Sequence, residues 1–427
     1  MKKYINYFWG LAFTSTAKST YITTFGAGLV AFLGFVFWII IARSMSPSDF
    51  GLFSVVFNLV NILYVICDVG LSSSLLRYLP QAIREAREGE VKKILKVAFL
   101  VVFLASGLLA FALILFAKPL AVLVFTKKEL SLPLALSSFS LLGISLSYLF
   151  ITMLQGKQKF LLAVIIESSM MVVKVSSVIL LVVLGRLNLV SLLFVFSLTS
   201  FSGLVLGLIF IRPSFLFSQL DGRLFKILFG FGVWVALARV ANAASARIDT
   251  LMLTRFVDSA QIGFYSAAQR MTFIFPVLVT GMTAVISPKF AALKTKQEGV
   301  VFFKKATILL SLLFVPLIIL FILAPWVTIW IYGDIYESSV SIFRWLLVSS
   351  AFFIASSVPI LGVLYFLGES KFFAIISLVQ LSLIFLGNLI LIPRFGVIGP
   401  PISLAISYGV IFFLSLFVFI KKTNEKE

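Results

Sequence analysis

The sequence contains no histidine, a single cysteine and few charged residues. The lack of histidine excludes histidine-based catalysis, histidine metal ligands and histidine proton relays. One cysteine, Cys67, excludes an intrachain disulfide. Charged residues make up 12% of the chain, whereas a soluble domain has about a quarter. We find no glycine motif for phosphate binding, no metal-ligand cluster and no nucleophile beside a base, so neither a cofactor nor an enzymatic reaction is predicted.

Long runs of apolar residues make up most of the sequence. The chain is 61% hydrophobic, with a mean hydropathy of +1.15. A run of about 20 apolar residues is long enough to cross a bilayer as an α-helix. We count twelve such runs and therefore predict an all-α, polytopic membrane protein. The runs lie near 20–42, 51–73, 94–116, 132–154, 162–184, 188–211, 226–251, 262–286, 302–330, 340–366, 372–393 and 397–420.

A similar sequence motif occurs twice, 212 residues apart, at 41–54 and at 253–266. Its recurring residues include Arg43 with Arg255 and Gly51 with Gly263, which we interpret as mainly structural. Further residues recur at the same offset of 212 positions, such as Gly156 with Gly368, and they indicate a duplicated unit. We predict two pseudo-symmetric lobes of six helices, at 1–215 and 216–427. Six spans per lobe make the repeat parallel.

The formal net charge of +19 would favour nucleic acid as the partner of a soluble protein. In a membrane protein, Lys and Arg instead hold loops on the cytoplasmic side. With the N-terminus inside, the inner loops hold roughly three times as many Lys and Arg as the outer ones. We therefore predict a multi-pass protein of the cytoplasmic (inner) membrane, with both termini in the cytoplasm and no nucleic-acid partner.

Among the charged residues inside the predicted spans we single out four basic and three acidic ones. A charge at the bilayer centre costs about 2.5–3.5 kcal/mol on insertion scales, so such residues face a bundle interior or a wet cavity. Since cations outnumber acids, we predict a cationic central cavity suited to an anionic cargo. The basic candidates are Lys174, Arg239, Arg247 and Arg270, and the acidic ones are Asp68, Glu167 and Asp249.

Span seven is the most informative of these segments. On a continuous helix, Arg239, Asn242, Arg247 and Asp249 fall on one side, which we expect to line the cavity. A second reading is a structural ion pair of Arg239 or Arg247 with Asp249. In span five, Lys174 and Glu167 either contact the cargo separately or pair with each other. Asp68, Glu167 and Asp249 are candidates for ion coupling or for ion pairing.

Three stretches resemble the polysaccharide and O-antigen flippases of the multidrug/oligosaccharidyl-lipid/polysaccharide (MOP, MATE-like) superfamily. The first is Ala42-Arg43-Ser44-Met45-Ser46-Pro47-Ser48-Asp49-Phe50-Gly51. The second is Asp68-Val69-Gly70-Leu71 followed by Arg77-Tyr78. The third contains Asp249, Arg255 and Gly263-Phe264-Tyr265-Ser266-Ala267-Ala268. The chain departs from the family pattern at Met45-Ser46 and Thr250, and the resemblance extends over essentially its whole length.

The resemblance implies a V-shaped pair of six-helix lobes and alternating access around a central cationic cavity. It also implies a cargo of polyprenyl-pyrophosphate-linked sugar, moved from the cytoplasmic to the outer leaflet. We expect the chain to act as a monomer beside other polysaccharide-assembly membrane proteins. The alternatives are a drug/cation antiporter of the same fold, a membrane glycosyltransferase or sugar polymerase, and a purely structural membrane protein.

The predicted orientation is open to a direct test. Reporter fusions after residues 128, 187 and 258 should report an external location, because the loops there carry few basic residues. Fusions after residues 90, 222 and 297 should report a cytoplasmic location. Paired alkaline phosphatase and fluorescent-protein fusions measure this, and an inverted pattern at most sites would contradict the orientation.

Overall fold

A computed structural model of the chain describes residues 15–424, and the regular structure in that range is helical. The α-helices are α1 (Ser15–Ser44), α2 (Pro47–Asp68), α3 (Leu71–Arg84), α4 (Glu88–Pro119), α5 (Ser131–Gly156), α6 (Phe160–Val183), α7 (Leu189–Ser200), α8 (Ser202–Ile211), α9 (Gly222–Ser245), α10 (Ile248–Leu253), α11 (Ser259–Thr272), α12 (Ile274–Ala292), α13 (Lys296–Ser311), α14 (Phe314–Ile322), α15 (Ala324–Tyr332), α16 (Ser339–Leu361), α17 (Ser370–Phe395) and α18 (Gly399–Asn424).

The described residues contain ten helices long and apolar enough to cross a membrane, or eleven with a bent pair in α9 counted as one span. One of the ten, Lys371–Asn424, is 54 residues long and comprises α17 and α18, of 26 residues each. A 26-residue helix is about 39 Å long, enough for a bilayer by itself. Counted in this way, the described part of the chain holds the predicted twelve spans.

Several spans consist of two helices, and proline marks the joints. Pro276, Pro316 and Pro325 each lie in the first turn of a new helix, where the missing backbone N–H removes no intrahelical hydrogen bond. Pro359 lies near the end of α16, which continues as a π-helical turn over Gly362–Phe366. The breaks therefore follow from residues that cannot donate to the preceding turn.

The described chain forms two compact units. Within the described residues, the first unit comprises 15–45, Leu59–Val124 and Lys128–Val240, and the second comprises Ser46–Asn58, Phe125–Lys127 and 241–424. Helix α2 is therefore divided between the units. Its residues up to Asn58 belong to the second unit, and its residues from Leu59 onward belong to the first. The internal repeat and its boundary at 215/216 stay a prediction.

In the first unit, α5 packs against α3, α4, α6, α7 and α8. Its core includes Leu75, Leu79, Phe150, Met153 and Ile166, all nearly or fully buried. Helix α3 lies mostly between the predicted spans near 51–73 and 94–116. Its buried and exposed residues alternate with the helical period, so one face packs on the bundle and the other remains exposed.

The start of α3 touches the backbone of α9. Gly70 adopts a left-handed conformation (φ +75°), and a Cβ there would lie 2.0 Å from the Gly232 carbonyl oxygen. Nearby, the Ser74 hydroxyl donates a hydrogen bond to the Leu228 carbonyl at 2.7 Å. Only glycine combines this backbone conformation with so close an approach. These contacts fix the first half of α9 to the first unit.

In the second unit, α16 packs against α11 and α18, and α17 packs against α18. The N-termini of α2 and α11 are capped in the same manner. Ser46 Oγ accepts from the Asp49 N–H at 3.1 Å, and Asp258 Oδ1 accepts from the Gln261 N–H at 2.8 Å. Residues 46 and 258 are separated by 212 positions, the offset of the repeated motif.

The two repeated glycines meet where α2 and α11 cross. A Cβ on Gly51 would lie 2.1 Å from the Ser259 carbonyl oxygen and 2.8 Å from the Gly263 nitrogen. A Cβ on Gly263 would lie 2.1 Å from the Pro47 carbonyl oxygen. Small residues permit this kind of close backbone packing between membrane helices. The recurrence of Gly51 and Gly263 therefore has a direct steric reason in the second unit.

Replacing either crossing glycine with alanine should destabilise the protein. The added methyl of Gly51→Ala or Gly263→Ala meets backbone atoms that cannot rotate away, and such overpacking costs about 1–3 kcal/mol. Gly281→Ala is the matched control, because a Cβ there has nothing within 4 Å. Thermal unfolding of the purified proteins in detergent measures the effect. Equal unfolding temperatures for all three variants would contradict the crossing.

Candidate functional site

Arg239 belongs to a polar cluster in the first unit. Its guanidinium donates to Asp68 Oδ2 at 2.5 Å, and the Asp68 side chain is 6% exposed. Asp68 also accepts from the backbone N–H and the hydroxyl of Ser72, so it caps the first turn of α3. The ion pair of Arg239 with Asp249 that the sequence offered as one reading is therefore wrong, because the partner of Arg239 is Asp68.

Lys174 lies among aromatic rings in the same unit. Its ammonium lies 4.8 Å from the centre of the Phe196 ring and 6.0 Å from that of Phe37. An ammonium over an aromatic face is attracted by the ring quadrupole, and the attraction is stronger where water is excluded. Among the described residues no salt bridge joins Lys174 to Glu167, so the pairing that the sequence offered as one alternative is not seen.

The second unit contains a cavity of about 340 Å³. The middle of α2, the end of α9 and the start of α10 border it together with α11, α12, α16 and α18. Two arginines and one carboxylate are its charged groups, so its formal charge is positive. Its lining residues are Asn58, Ser245, Ala246, Arg247, Asp249, Gln269, Arg270, Thr272, Phe273, Pro276, Leu346, Ser349, Ser350, Phe353, Leu404 and Tyr408.

Neutral donors satisfy the carboxylate in the cavity wall. Asp249 accepts hydrogen bonds from the Tyr265 hydroxyl, from Gln269 Nε2 at 3.1 Å and from the Thr250 N–H at 2.8 Å. Among the salt bridges of the described range 15–424, none joins Asp249 to Arg247, so the alternative of an Arg247–Asp249 ion pair is not seen. Three neutral donors therefore hold the Asp249 carboxylate in place.

The two cavity arginines are positioned differently. Arg247 lies in the break between α9 and α10, where its guanidinium approaches the Ala243 carbonyl at 3.5 Å. Arg270 lies in the last turn of α11, and its guanidinium lies 5.1 Å from the centre of the Phe57 ring. A guanidinium carries several N–H donors in a planar fork, which matches the oxygens of a phosphate. Both guanidinium groups belong to residues that line the cavity.

The continuous face predicted for span seven does not form. Helix α9 ends at Ser245 and α10 begins at Ile248, so the helical register of Arg239 does not extend to Asp249. Asn242 lies exposed in the last turn of α9 and is not part of the cavity wall. Arg43 and Arg255 are both exposed, next to the ends of α1 and α10.

Several residues of the cavity wall, and Tyr265, which donates to Asp249 from outside that wall, were not identified as site residues from the sequence. Tyr265 and Gln269 are four positions apart on α11, so both reach the same carboxylate. The spacing of Tyr265 and Gln269 on one helical face could have indicated from the sequence that both contact the same acidic side chain. Asn58 and Tyr408 come from distant helices, and no local pattern connects them with Asp249.

Comparisons with known proteins agree with this architecture. Residues 16–294 match the model of a family described as polysaccharide biosynthesis protein. A putative O-antigen transporter of Shigella flexneri is 25% identical over 389 residues, covering 86% of this chain and 88% of the relative.

Two solved structures share the fold at low identity. An inward-facing multidrug resistance MATE family transporter of the MOP superfamily has a TM-score of 0.75 at 12% identity, covering 92% of this chain and 94% of that one. The lipid II flippase MurJ in an inward closed conformation has a TM-score of 0.73 at 16% identity, covering 93% and 87%.

The fold and the apolar helices define a multi-pass helical membrane protein with the fold of these two transporter structures. Because the family model matches more than half of its length, the chain belongs to the polysaccharide biosynthesis protein family.

The Arg239–Asp68 pair predicts non-additive effects of substitution. Arg239→Gln leaves the buried Asp68 carboxylate without its cation, and loss of one partner of a buried pair costs up to about 3–5 kcal/mol. Since Arg239 is 34% exposed, we expect a smaller loss. The double variant Arg239→Gln/Asp68→Asn should recover much of the stability. Thermal unfolding measures this, and additive losses would show that the two side chains are energetically independent.

Proposed function

We propose that the protein is a flippase for a polyprenyl-pyrophosphate-linked oligosaccharide used in cell-surface polysaccharide biosynthesis. In this proposal it moves the lipid-linked sugar from the cytoplasmic to the outer leaflet. The observation that carries the proposal is the positive cavity of the second unit, where Arg247 and Arg270 outnumber the single carboxylate of Asp249. A relative named as an O-antigen transporter supports the same class of cargo.

The electrostatics of the cavity favour an anion over a cation. A cationic drug would require an uncompensated carboxylate, but Asp249 is already hydrogen-bonded by three donors and shares the cavity with two arginines. A pyrophosphate instead meets two guanidinium groups, each able to donate two parallel hydrogen bonds. The drug/cation antiporter is therefore the less favoured function for this site.

The size of the cavity limits which part of the cargo it holds. Sites for drug-sized ligands occupy about 300–1,000 Å³, and this cavity of about 340 Å³ is at the small end of that range. It accommodates a pyrophosphate with one neighbouring group rather than a whole oligosaccharide. Asn58, Gln269 and Tyr408 supply uncharged polar groups that suit sugar hydroxyls. The lipid tail remains in the bilayer.

The proposed mechanism lowers the barrier for the charged headgroup. An ionised group in hydrocarbon costs several kcal/mol or more because water no longer solvates it. The arginines replace water with fixed cationic donors, and alternating access then exposes the site to one leaflet at a time. Binding must be similar in the two states, because a cargo held much more tightly in one of them would be released slowly from it.

Substitution of the cavity arginines tests this function. Arg247→Ala and Arg270→Ala should each reduce flipping of the lipid-linked sugar by at least tenfold, because about 1.5–3 kcal/mol is lost with a hydrogen bond to a charged group. Arg→Lys variants should retain part of the activity, because the charge persists while the fork is lost. The readout is appearance of labelled sugar in the outer leaflet of proteoliposomes.

Arg186→Ala is the matched control, since Arg186 is exposed in the turn between α6 and α7 and is not part of the cavity wall. Flipping at the wild-type rate by both cavity variants would refute the proposed site. Uptake of a cationic drug that survives these changes, without flipping in the wild type, would favour the antiporter instead.

A further inference from the structure

The loop between α8 and α9 presents large apolar side chains to the surroundings. It covers residues 212–221 and directly joins the ends of two membrane-length segments. Phe217 is 90% exposed and Leu220 is 63% exposed. Exposed apolar side chains of this size next to a membrane-spanning helix are typical of groups that enter the lipid interface.

Specific contacts hold this loop in one conformation. The Phe215 ring is buried and meets the Phe99 ring of α4 edge-on at 5.8 Å. The Lys96 ammonium donates to the Ser218 carbonyl at 2.5 Å. Phe217 lies between these two anchored residues in the sequence. Its exposure is therefore imposed by its anchored neighbours.

The surroundings of Phe217 are basic. Arg212 and Arg223 lie on either side of it in the chain, Lys226 follows in the first turns of α9, and all three are exposed. The one acid of the loop, Asp221, lies 3.6 Å from the Lys93 ammonium and accepts from the Arg223 N–H at 3.0 Å. These interactions lower the pKa of Asp221 below its usual value, the hydrogen bond from Arg223 being the largest cause. Because Lys93 offsets the charge of Asp221, the surface stays net positive.

We propose that this loop is a binding site for anionic phospholipid, with Phe217 and Leu220 inserted between acyl chains and Arg212 and Arg223 holding the headgroup. Apolar side chains alone would suit any lipid, and basic side chains alone would suit any anion in solution. Their combination on an anchored loop at the end of a span matches a negatively charged lipid. The site lies in the first unit and does not include the cavity of Arg247 and Arg270.

The electrostatic part of the proposal has an expected size. A Lys or Arg near an anionic membrane surface contributes about 1 kcal/mol, or about a fivefold change in binding. Neutralising Arg212 and Arg223 together should therefore remove most of the preference for an anionic over a zwitterionic lipid, while contact of residue 217 with acyl chains persists.

A fluorescent label at residue 217 tests both parts. In a Cys67→Ser background, Phe217→Cys carries a bimane label, and the protein is placed in bilayers with either brominated phosphatidylglycerol or brominated phosphatidylcholine at equal mole fraction. We expect quenching by both lipids, with severalfold preference for phosphatidylglycerol. The same label at Leu198→Cys, an exposed apolar position on α7, should show no such preference.

Charge-matched variants complete the experiment. Arg212→Gln/Arg223→Gln should abolish the preference at residue 217. Lys118→Gln/Lys128→Gln removes the same number of exposed charges near the C-terminal end of α4 and after it, and should preserve the preference. Three results would each overturn the proposal: no quenching at residue 217, equal quenching by the two lipids in the wild-type background, or an equal loss of preference in both charge variants. A failure here leaves the flippase proposal unaffected, because these residues are outside the cavity.

Discussion

The cost of placing charge in hydrocarbon is the constraint on which the buried polar arrangement depends. A charged side chain at membrane depth must be paired, hydrogen-bonded or turned toward a wet space. Arg239 meets this requirement through Asp68, Lys174 through two aromatic rings, and Asp249 through three neutral donors. Arg239 and Lys174 are thus accounted for by contacts within the first unit, whereas Arg247 and Arg270 line the cavity that we propose binds the cargo.

The neutral donors around Asp249 have a consequence for function. Tyr265 and Gln269 donate hydrogen bonds to Asp249, and two guanidinium groups line the same cavity as this one acid. The break between α9 and α10 contributes to this arrangement, because it places Arg247 outside a regular helix and Asp249 in a short separate one.

Much of the fold was readable from local patterns. Apolar runs locate the spans because a helix must satisfy its backbone within the membrane, and length alone then fixes the count. Proline positions indicate where several spans break. The steric reason for repeating Gly51 and Gly263 was not readable, because it depends on two helices distant in sequence crossing at these residues.

The site was predicted less completely than the fold. The sequence singled out Arg247, Asp249 and Arg270 as site candidates because they are charged residues within apolar spans, and all three line the cavity. It offered Asp249 as a partner of Arg239 only as a second reading and did not find Asp68, because Asp68 is 171 residues away and no periodicity connects the two. Helical-face arguments hold only while the helix continues, and span seven breaks between Ser245 and Ile248.

Direct binding of carrier lipids tests the central claim, that the cavity of the second unit selects an anionic headgroup. Purified protein is titrated with polyprenyl pyrophosphate, polyprenyl monophosphate and the uncharged polyprenol, and binding is followed by native mass spectrometry. The account predicts affinity in the order pyrophosphate, monophosphate, alcohol, and it predicts that Arg247→Gln/Arg270→Gln removes this order while Arg186→Gln preserves it. Equal affinity for the three lipids, or an unchanged order in the cavity double variant, would contradict it.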